Sequence, residues 1–378
     1  MLASILRPVA LPPQLIGRPA PCDIFDARGT LLQRVGSPVA RRAGHSQHPP
    51  RVFCEASQAD CISSVNPLAQ LRAVGENLAH LAAQVDNGRH VAAAELTGLA
   101  RELRELWALD ADACIGYARL HRFERPSVCH AVLAALLAAE LAAANGSSPE
   151  SITDVVGAAL TMNLAAMALH DRMFEIAGDP GEKLCAELRL HPVESARLLE
   201  RIGGIPDDWL QAVAQHHENA DGSGYPCGVS RAGISLPARI LRVADTLAAQ
   251  LIGHKTRPSH HWNMRQTKGL QHLIQHVFGA ELELLDHLLV RQLMTRLSAF
   301  PPGSLVRLSS GELAVVNRRQ PDTDSPRDAM VFIGTHGRPL EEPRVRRIGL
   351  RDCRIRSYVQ DELPKLPPYE WQLIWGYR

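Results

Sequence analysis

From Pro67 to about Arg122 apolar residues recur three and four apart, with Leu68, Leu71, Val74, Leu78 and Leu81 on one stripe. That is the spacing of an amphipathic helix. Asn87-Gly88 interrupts the pattern, and Leu96 to Leu109 resumes it. The stretch AVLAALLAAELAAANG predicts an Ala/Leu helix closed at Asn145-Gly146, a sequence suited to a C-cap. Ser148-Pro149-Glu150 opens the next helix, and its apolar run continues through AALTMNLAAMAL, with proline placed where a first helical turn accepts it. Further helices are expected near His191-Pro192, at Pro206-Asp207-Asp208 and around Ser235-Leu236-Pro237.

Both ends of the chain read differently. Residues 1–65 are rich in Pro, Gly and Arg, and in CDIFDARGTLLQRVG two short apolar runs flank Asp26-Ala27-Arg28-Gly29, the pattern of a β-hairpin. A small β module or a mostly loose arm both fit that segment. After Phe300, LVRL and LAVV flank Ser309-Ser310-Gly311, and MVFIGTHGRPL supplies another turn-bounded strand, so a small β-barrel is expected over residues 301–357. A proline-rich tail ending in aromatics follows. The expected organisation is an N-terminal arm with a small β module (1–65), a helical connecting segment (66–125), an all-helical domain (126–298) and a C-terminal β-rich domain with its tail (299–378). The chain is mainly α.

Composition narrows the function classes. With 46% hydrophobic and 21% charged residues in 378, a sizeable core is expected and global disorder is not. A net charge of +1 and 4% aromatics argue against a nucleic-acid polymer as partner, because neither bulk positive charge nor stacking platforms are present. Eight cysteines at 22, 54, 61, 114, 129, 185, 227 and 353 form no CxxC pair, which fits reduced thiols in a cytoplasmic protein. MLASILRPVALPP has too short an apolar run for a signal peptide. The longest apolar stretch, Val155 to Leu169, contains Asn163 and is too short for a membrane span. Seventeen histidines make imidazole the side chain to follow, as metal ligand or proton carrier.

The most informative segment is HHENADGSGYPCG, from His216 to Gly228. Two adjacent imidazoles at a helix end, a carboxylate at Glu218 and a glycine-rich loop are the parts of a metal or phosphate site. Gly222 and Gly224 allow backbone conformations closed to other residues, and Pro226 stiffens the exit. Without the rest of the string, tandem histidines would more often mark a surface turn.

This segment resembles the loop of the HD-GYP family, bacterial hydrolases of cyclic di-GMP within the HD phosphohydrolase fold. The resemblance covers about residues 126–257. The loop motif HHExxDGSGYPxG is present without a gap, LPARILRVAD places Asp245 at the family's metal-binding aspartate, His191-Pro192 matches its HP helix, and His130 matches the first histidine of the fold. The resemblance implies an HD-domain-like helical bundle that holds two or three iron or manganese ions and uses a metal-activated water on a phosphodiester.

The namesake HD dipeptide departs from the family's pattern. It stands roughly 32 residues after the first histidine and about 29 before the HP histidine, and either count reaches Met162-Asn163. The resemblance therefore implies that both HD ligands are replaced, by a soft thioether and by an uncharged amide that bridges divalent ions poorly. His170-Asp171 lies eight residues later, about 12 Å along a continuous helix and about 80° around it, and reads as a decoy. The family's lysine falls on Ala166, and a carboxylate found before the first histidine is replaced by Pro126, with Glu124 nearby.

The implied metal ligands are thus His130, His191, His216, His217 and Asp245, with Asn163 at the lost bridging position. Together they suggest one iron or manganese ion rather than a full bimetal centre. Hydrogen-bonded interior histidines without metal are the plain alternative. On the substrate side the resemblance points to Asp221, Gly222, Gly224, Tyr225, Pro226 and Arg257, where HKTR (His254 to Arg257) stands for the family's RPYR. Lys255 adds a phosphate partner, or the segment is a solvated basic turn. His254, His260, His261, His272, His276 and His287 read as surface or packing residues, and Met162 and Met167 as core fillers. The function implied is a degenerate HD-GYP protein of cyclic-di-GMP signalling, weak or inactive in hydrolysis. It would act as a receptor or as a module that docks a signalling protein. The alternative is an active metal-dependent phosphodiesterase producing pGpG or GMP.

Overall fold

The computed structural model describes residues 5–9, 11, 15–39, 52–62, 65–176, 181–252, 274, 277–320, 326–350, 353–359 and 369–377. Its centre is the Ala/Leu run, which forms α3 (Pro126–Ala144) after a proline at the first turn. Nearly every side of α3 is buried, as expected of a helix without a polar face. Around it stand α1 (Pro67–Asp86), α2 (Ala93–Leu120), α4 (Pro149–Thr161) and α9 (Leu236–Ile252). The remaining helices are α5 (Met167–Glu175), α6 (Glu182–Leu188), α7 (His191–Ile202), α8 (Asp207–Gln215) and α10 (His287–Leu297). By length and composition Pro126–Ala144 and Pro149–Glu175 are apolar enough to cross a membrane, but 83% and 78% of their windows are buried inside the protein. They are interior helices of this core.

The sequence caps behave as their chemistry requires. Asn66 accepts from the amides of Leu68 and Ala69 at the start of α1, and Ser148 accepts from Ser151 N ahead of α4, satisfying donors that a helix start leaves open. The apolar run after Ser148 is not one helix. It breaks after Thr161, passes through a 3-10 turn at Leu164–Ala166 and restarts as α5. The amide of Ala165 donates to Ser195 Oγ of α7 at 3.2 Å instead of closing a helical ladder. Ala166 N donates to Asn163 O in a tighter turn.

At the N-terminus β1 (Leu6–Val9), β2 (Ile24–Phe25), β3 (Leu31–Gln33) and β4 (Val52–Glu55) pair in the order β1-β4-β2-β3. The expected hairpin is present, turned by Asp26, whose carboxylate accepts from Arg28 N and Thr30 N. At the C-terminus β5 (Leu305–Leu308), β6 (Leu313–Arg319), β7 (Pro326–Ile333), β8 (Pro339–Arg347) and β9 (Ile355–Tyr358) form an antiparallel sheet in the order β8-β7-β6-β5-β9. Among the described residues β8 and β9 are its two edges.

Buried ion pairs fasten this sheet to the helices. Arg318 holds Asp110 with both terminal nitrogens, at 2.5 and 3.0 Å, while Tyr377 donates to Asp110 Oδ2 at 2.8 Å. Asp110 departs from helical geometry and kinks α2. Glu140 of α3 receives Arg296 and Arg319, each at 3.0 Å. Charges so enclosed require such partners.

Candidate metal centre

Three chain segments deliver four imidazoles to one place. His191 is the first residue of α7, His216 caps the end of α8, His217 follows it, and His170 lies on α5. His191 Nδ1–H donates to Leu188 O at 2.5 Å, and His216 Nδ1–H donates to Val213 O at 2.6 Å. A carbonyl can only accept, so these bonds fix both tautomers and leave each Nε2 as a bare lone pair. The two Nε2 atoms face each other at 2.9 Å. Two lone pairs so placed repel unless a cation lies between them. A carbonyl behind each imidazole is also the usual support of a metal-bound histidine.

His217 completes the group: one ligand atom from each of His191, His216 and His217 lies within 4.8 Å of the others. Its ring stacks on Tyr225, with centroids 4.8 Å apart and planes 13° from parallel. His170 also belongs here, which corrects its reading as a decoy. Its ring meets that of His191 edge-on at 5.5 Å, and its buried Nε2 has no hydrogen-bond partner. The reason is the helix break: α5 restarts on a new axis, so the rotation expected along one continuous helix does not apply. Asp171 does not follow its neighbour into the site. Its carboxylate accepts from Arg125 Nε at 2.7 Å and from Ser127 N at 2.8 Å.

Asn163 is buried in the turn between α4 and α5, and its Oδ1 has no hydrogen-bond partner. Met162 is fully buried. His130 of α3 and Asp245 of α9 are joined to each other, Nε2 to Oδ1, at 2.8 Å. Burial opposes ionisation of Asp245, but the hydrogen bond and charge of His130 outweigh it and hold this carboxyl well below its ordinary range. Burial, then the neighbouring imidazoles, push His170 and His191 down to about 4 and His216 to about 3, and lower His217 as well. The cluster is therefore neutral near pH 7, the state in which imidazole ligates a metal.

The loop after His217 is tied down by its own residues. Glu218 accepts from Cys227 N at 2.7 Å and Val229 N at 3.1 Å, so this carboxylate organises the loop. Asp221 accepts from Ser223 N and Oγ. Arg242 reaches Asn219 Oδ1. Gly222 has φ +83°, and a Cβ on Gly224 would stand 2.3 Å from Asn219 N, so neither position tolerates a side chain. The amide of Tyr225 donates to His217 O at 3.1 Å, which seats its ring. Pro226 is exposed at the loop's rim. Arg257, with Lys255 and His254, lies outside the described residues, as do His260, His261, His272 and His276.

The donor set fits a transition-metal ion. Three neutral imidazoles converge, two have fixed tautomers, and two further buried polar atoms, His170 Nε2 and Asn163 Oδ1, have no hydrogen-bond partner. Nitrogen-rich sets of this kind suit iron and related divalent ions.

Residues 101–273 match a family model described as an HD domain. The chain is 25% identical over 264 residues to a cyclic di-GMP phosphodiesterase of Pseudomonas aeruginosa, covering 68% of this chain and 56% of that protein. It is 38% identical over 82 residues to 3'3'-cGAMP-specific phosphodiesterase 1 of Vibrio cholerae, covering 20% of this chain and 18% of that one. Little more than half the length of the first relative thus has a counterpart here. Among solved structures it is similar to an HDGYP protein from Bdellovibrio bacteriovorus, with a TM-score of 0.49 and 12% identity, covering 74% of this chain and 95% of that one. The HD-domain match encloses every candidate ligand from His130 to Asp245. With the unbroken HHExxDGSGYPxG loop that seats Tyr225 on His217, it identifies an HD domain of HD-GYP type over residues 101–273 of this chain.

Proposed function

We propose that this protein binds one iron or manganese ion through His191, His216 and His217 and uses that centre to bind a cyclic dinucleotide, with little or no hydrolysis. The observation that carries the reading is the 2.9 Å approach of two Nε2 atoms whose Nδ1–H groups are already committed to carbonyls. His170 Nε2 and Asn163 Oδ1, both buried without a hydrogen-bond partner, are further candidate ligand atoms. A bound ion would supply Lewis acidity toward a phosphate oxygen. Tyr225, stacked on His217, offers a ring edge to the ligand, and the loop backbone that Glu218 and Asp221 organise holds it there. The cyclic dinucleotide class is supported by the relatives, whose names specify cyclic di-GMP or 3'3'-cGAMP.

Weak hydrolysis follows from the carboxylates. Asn163 is neutral, and Asp171 is engaged by Arg125 and Ser127. That leaves Asp245, already bonded to His130, and an amide is a poor bridge between two divalent ions. A second reading, an active phosphodiesterase releasing pGpG or GMP, is favoured by one observation: His170, His130 and Asp245 provide donors beyond the three-histidine set. Metal analysis of the purified protein, paired with cyclic di-GMP binding and turnover in iron or manganese, separates the two. One ion per chain and binding without turnover supports the receptor. Two ions and steady turnover supports the enzyme. Neither metal nor dinucleotide bound overturns both.

A further inference from the structure

We propose that the cleft between the α1–α2 turn and α7 binds a small phosphomonoester with an apolar or planar body, at a site separate from the imidazole centre. The cavity is about 680 Å³, within the range of small-molecule sites. Arg89 comes from the turn, and Arg197 and Arg201 come from successive turns of α7. None of the three is ion-paired with a described carboxylate, and Glu194 is the one acidic residue lining the cleft. Val91, Leu198 and Ile202 supply an aliphatic wall beside these guanidinium groups.

The cleft is built on fixed backbone. Gly88 turns the chain at φ +66°, Gly88 N donates to Val85 O at 2.9 Å, and Arg89 N donates to Gln84 O at 2.8 Å. Glu95 then accepts from Ala92 N at 2.9 Å as the next helix begins. Arg197 and Arg201 are four residues apart and share one face of α7. A pair so spaced can grip one phosphate with forked hydrogen bonds, which guanidinium makes better than any other side chain.

Arg201 also lies in the last turn of α7, where a cation offsets the helix dipole. That role does not account for Arg197 or for Arg89, which approaches from a different element. Val91, Leu198 and Ile202 carry aliphatic carbon and would accept a planar body by area, while His90, which also lines the cleft, offers one ring able to hydrogen-bond. The ligand class is therefore an anion with an uncharged hydrophobic portion, of which a purine mononucleotide is the simple case.

The test is calorimetric titration of the full chain in chelator with AMP, adenosine and inorganic phosphate. AMP is expected to bind, with adenosine and phosphate each at least about tenfold weaker, since each lacks one half of the contact. R197A/R201A should weaken AMP about tenfold or more with an unchanged melting temperature, while H216A should leave AMP affinity unchanged. The H216A arm keeps this result independent of the metal reading. Failure of AMP to bind the wild type, AMP affinity indifferent to R197A/R201A, or phosphate binding as tightly as AMP would each overturn the proposal.

Discussion

The carboxylate of Asp171 lies 2.7 Å from Nε of Arg125, on α3's leading edge, while the imidazole of His170 points to His191. Adjacent residues on a helix diverge by about 100°, so the dipeptide is split between two jobs. Arg125 is itself held by Asp86 at 3.1 Å, and Asp171 also caps the amide of Ser127. D171A should therefore cost about 1–3 kcal/mol of stability, the range for stranding a partly enclosed charge and an amide. Metal content should persist. Loss of bound metal from a D171A protein that still folds would make Asp171 a ligand and undo the site described above.

Removing one of the facing imidazoles should separate metal affinity from fold. In metal-free protein the two Nε2 lone pairs oppose each other at 2.9 Å, so H191A relieves a repulsion while creating a cavity. The metal-free melting temperature should change little for that reason. Metal-induced stabilisation, about 2.7 kcal/mol at a hundredfold excess over Kd in the intact protein, should vanish. Scanning calorimetry with and without manganese reads both. A metal-induced shift that survives in H191A would exclude this residue from the ligand set.

The neutral amide at the bridging position can be tested by restoring a charge. Asn163 is buried and its Oδ1 is free of hydrogen bonds, so N163D introduces a carboxylate of nearly the same shape. Without metal it should destabilise, by about 1–3 kcal/mol for an unpaired enclosed charge. With manganese it should raise the ion count from one toward two and increase cyclic di-GMP turnover at least about tenfold, as metal-bridging oxygen is a property carboxylate has and amide lacks. Plasma emission analysis and a turnover assay give the result. An unchanged ion count would show that charge at residue 163 is not what limits the site.

Much of this was legible from residue order, for identifiable reasons. The tandem histidines and their loop are contiguous, so the sequence carries both the ligands and the glycines that let Tyr225 reach His217. The helix start at Ser148-Pro149 is local chemistry and appears where expected. His170 was misread because an apolar run is compatible with one helix or two. The break depends on Ser195 taking the amide of Ala165, a contact between residues thirty apart that no local pattern reports. The same holds for Glu218, whose role as anchor for Cys227 and Val229 emerges when the loop closes. The buried pair of Arg318 and Asp110 joins positions 208 apart and left no trace in periodicity.

Gly224 offers a sharp test of the loop. A methyl group there would meet Asn219 N at 2.3 Å, Glu218 Cα at 2.5 Å and His217 O at 2.6 Å, all backbone that cannot swing aside. G224A must push the loop away from the residue that carries a proposed ligand. Binding of cyclic di-GMP should fall at least about tenfold. Global stability should drop by about 1–3 kcal/mol, the scale of core overpacking. The Tyr225–His217 stack should be lost, visible in the ring chemical shifts. Wild-type dinucleotide affinity in G224A would mean the loop does not position the ligand.

Glu140 gives the protein an acid limit that can be predicted in sign. Burial raises its pKa, but Arg319 and Arg296 outweigh burial and hold it far below its ordinary value of 4.5. The folded state thus binds fewer protons than the unfolded chain as pH drops past 4.5, and stability falls there. The contribution is complete above that pH and is lost progressively below it. E140Q leaves two arginines facing an amide and should cost about 3–5 kcal/mol at pH 7, as for breaking any enclosed ion pair. Because glutamine does not titrate, the gap between wild type and E140Q should narrow as pH goes from 5 to 3. Urea unfolding of both proteins across that interval measures it. A gap that stays constant would mean that the charge on Glu140 contributes nothing to holding α3 against β6 and α10.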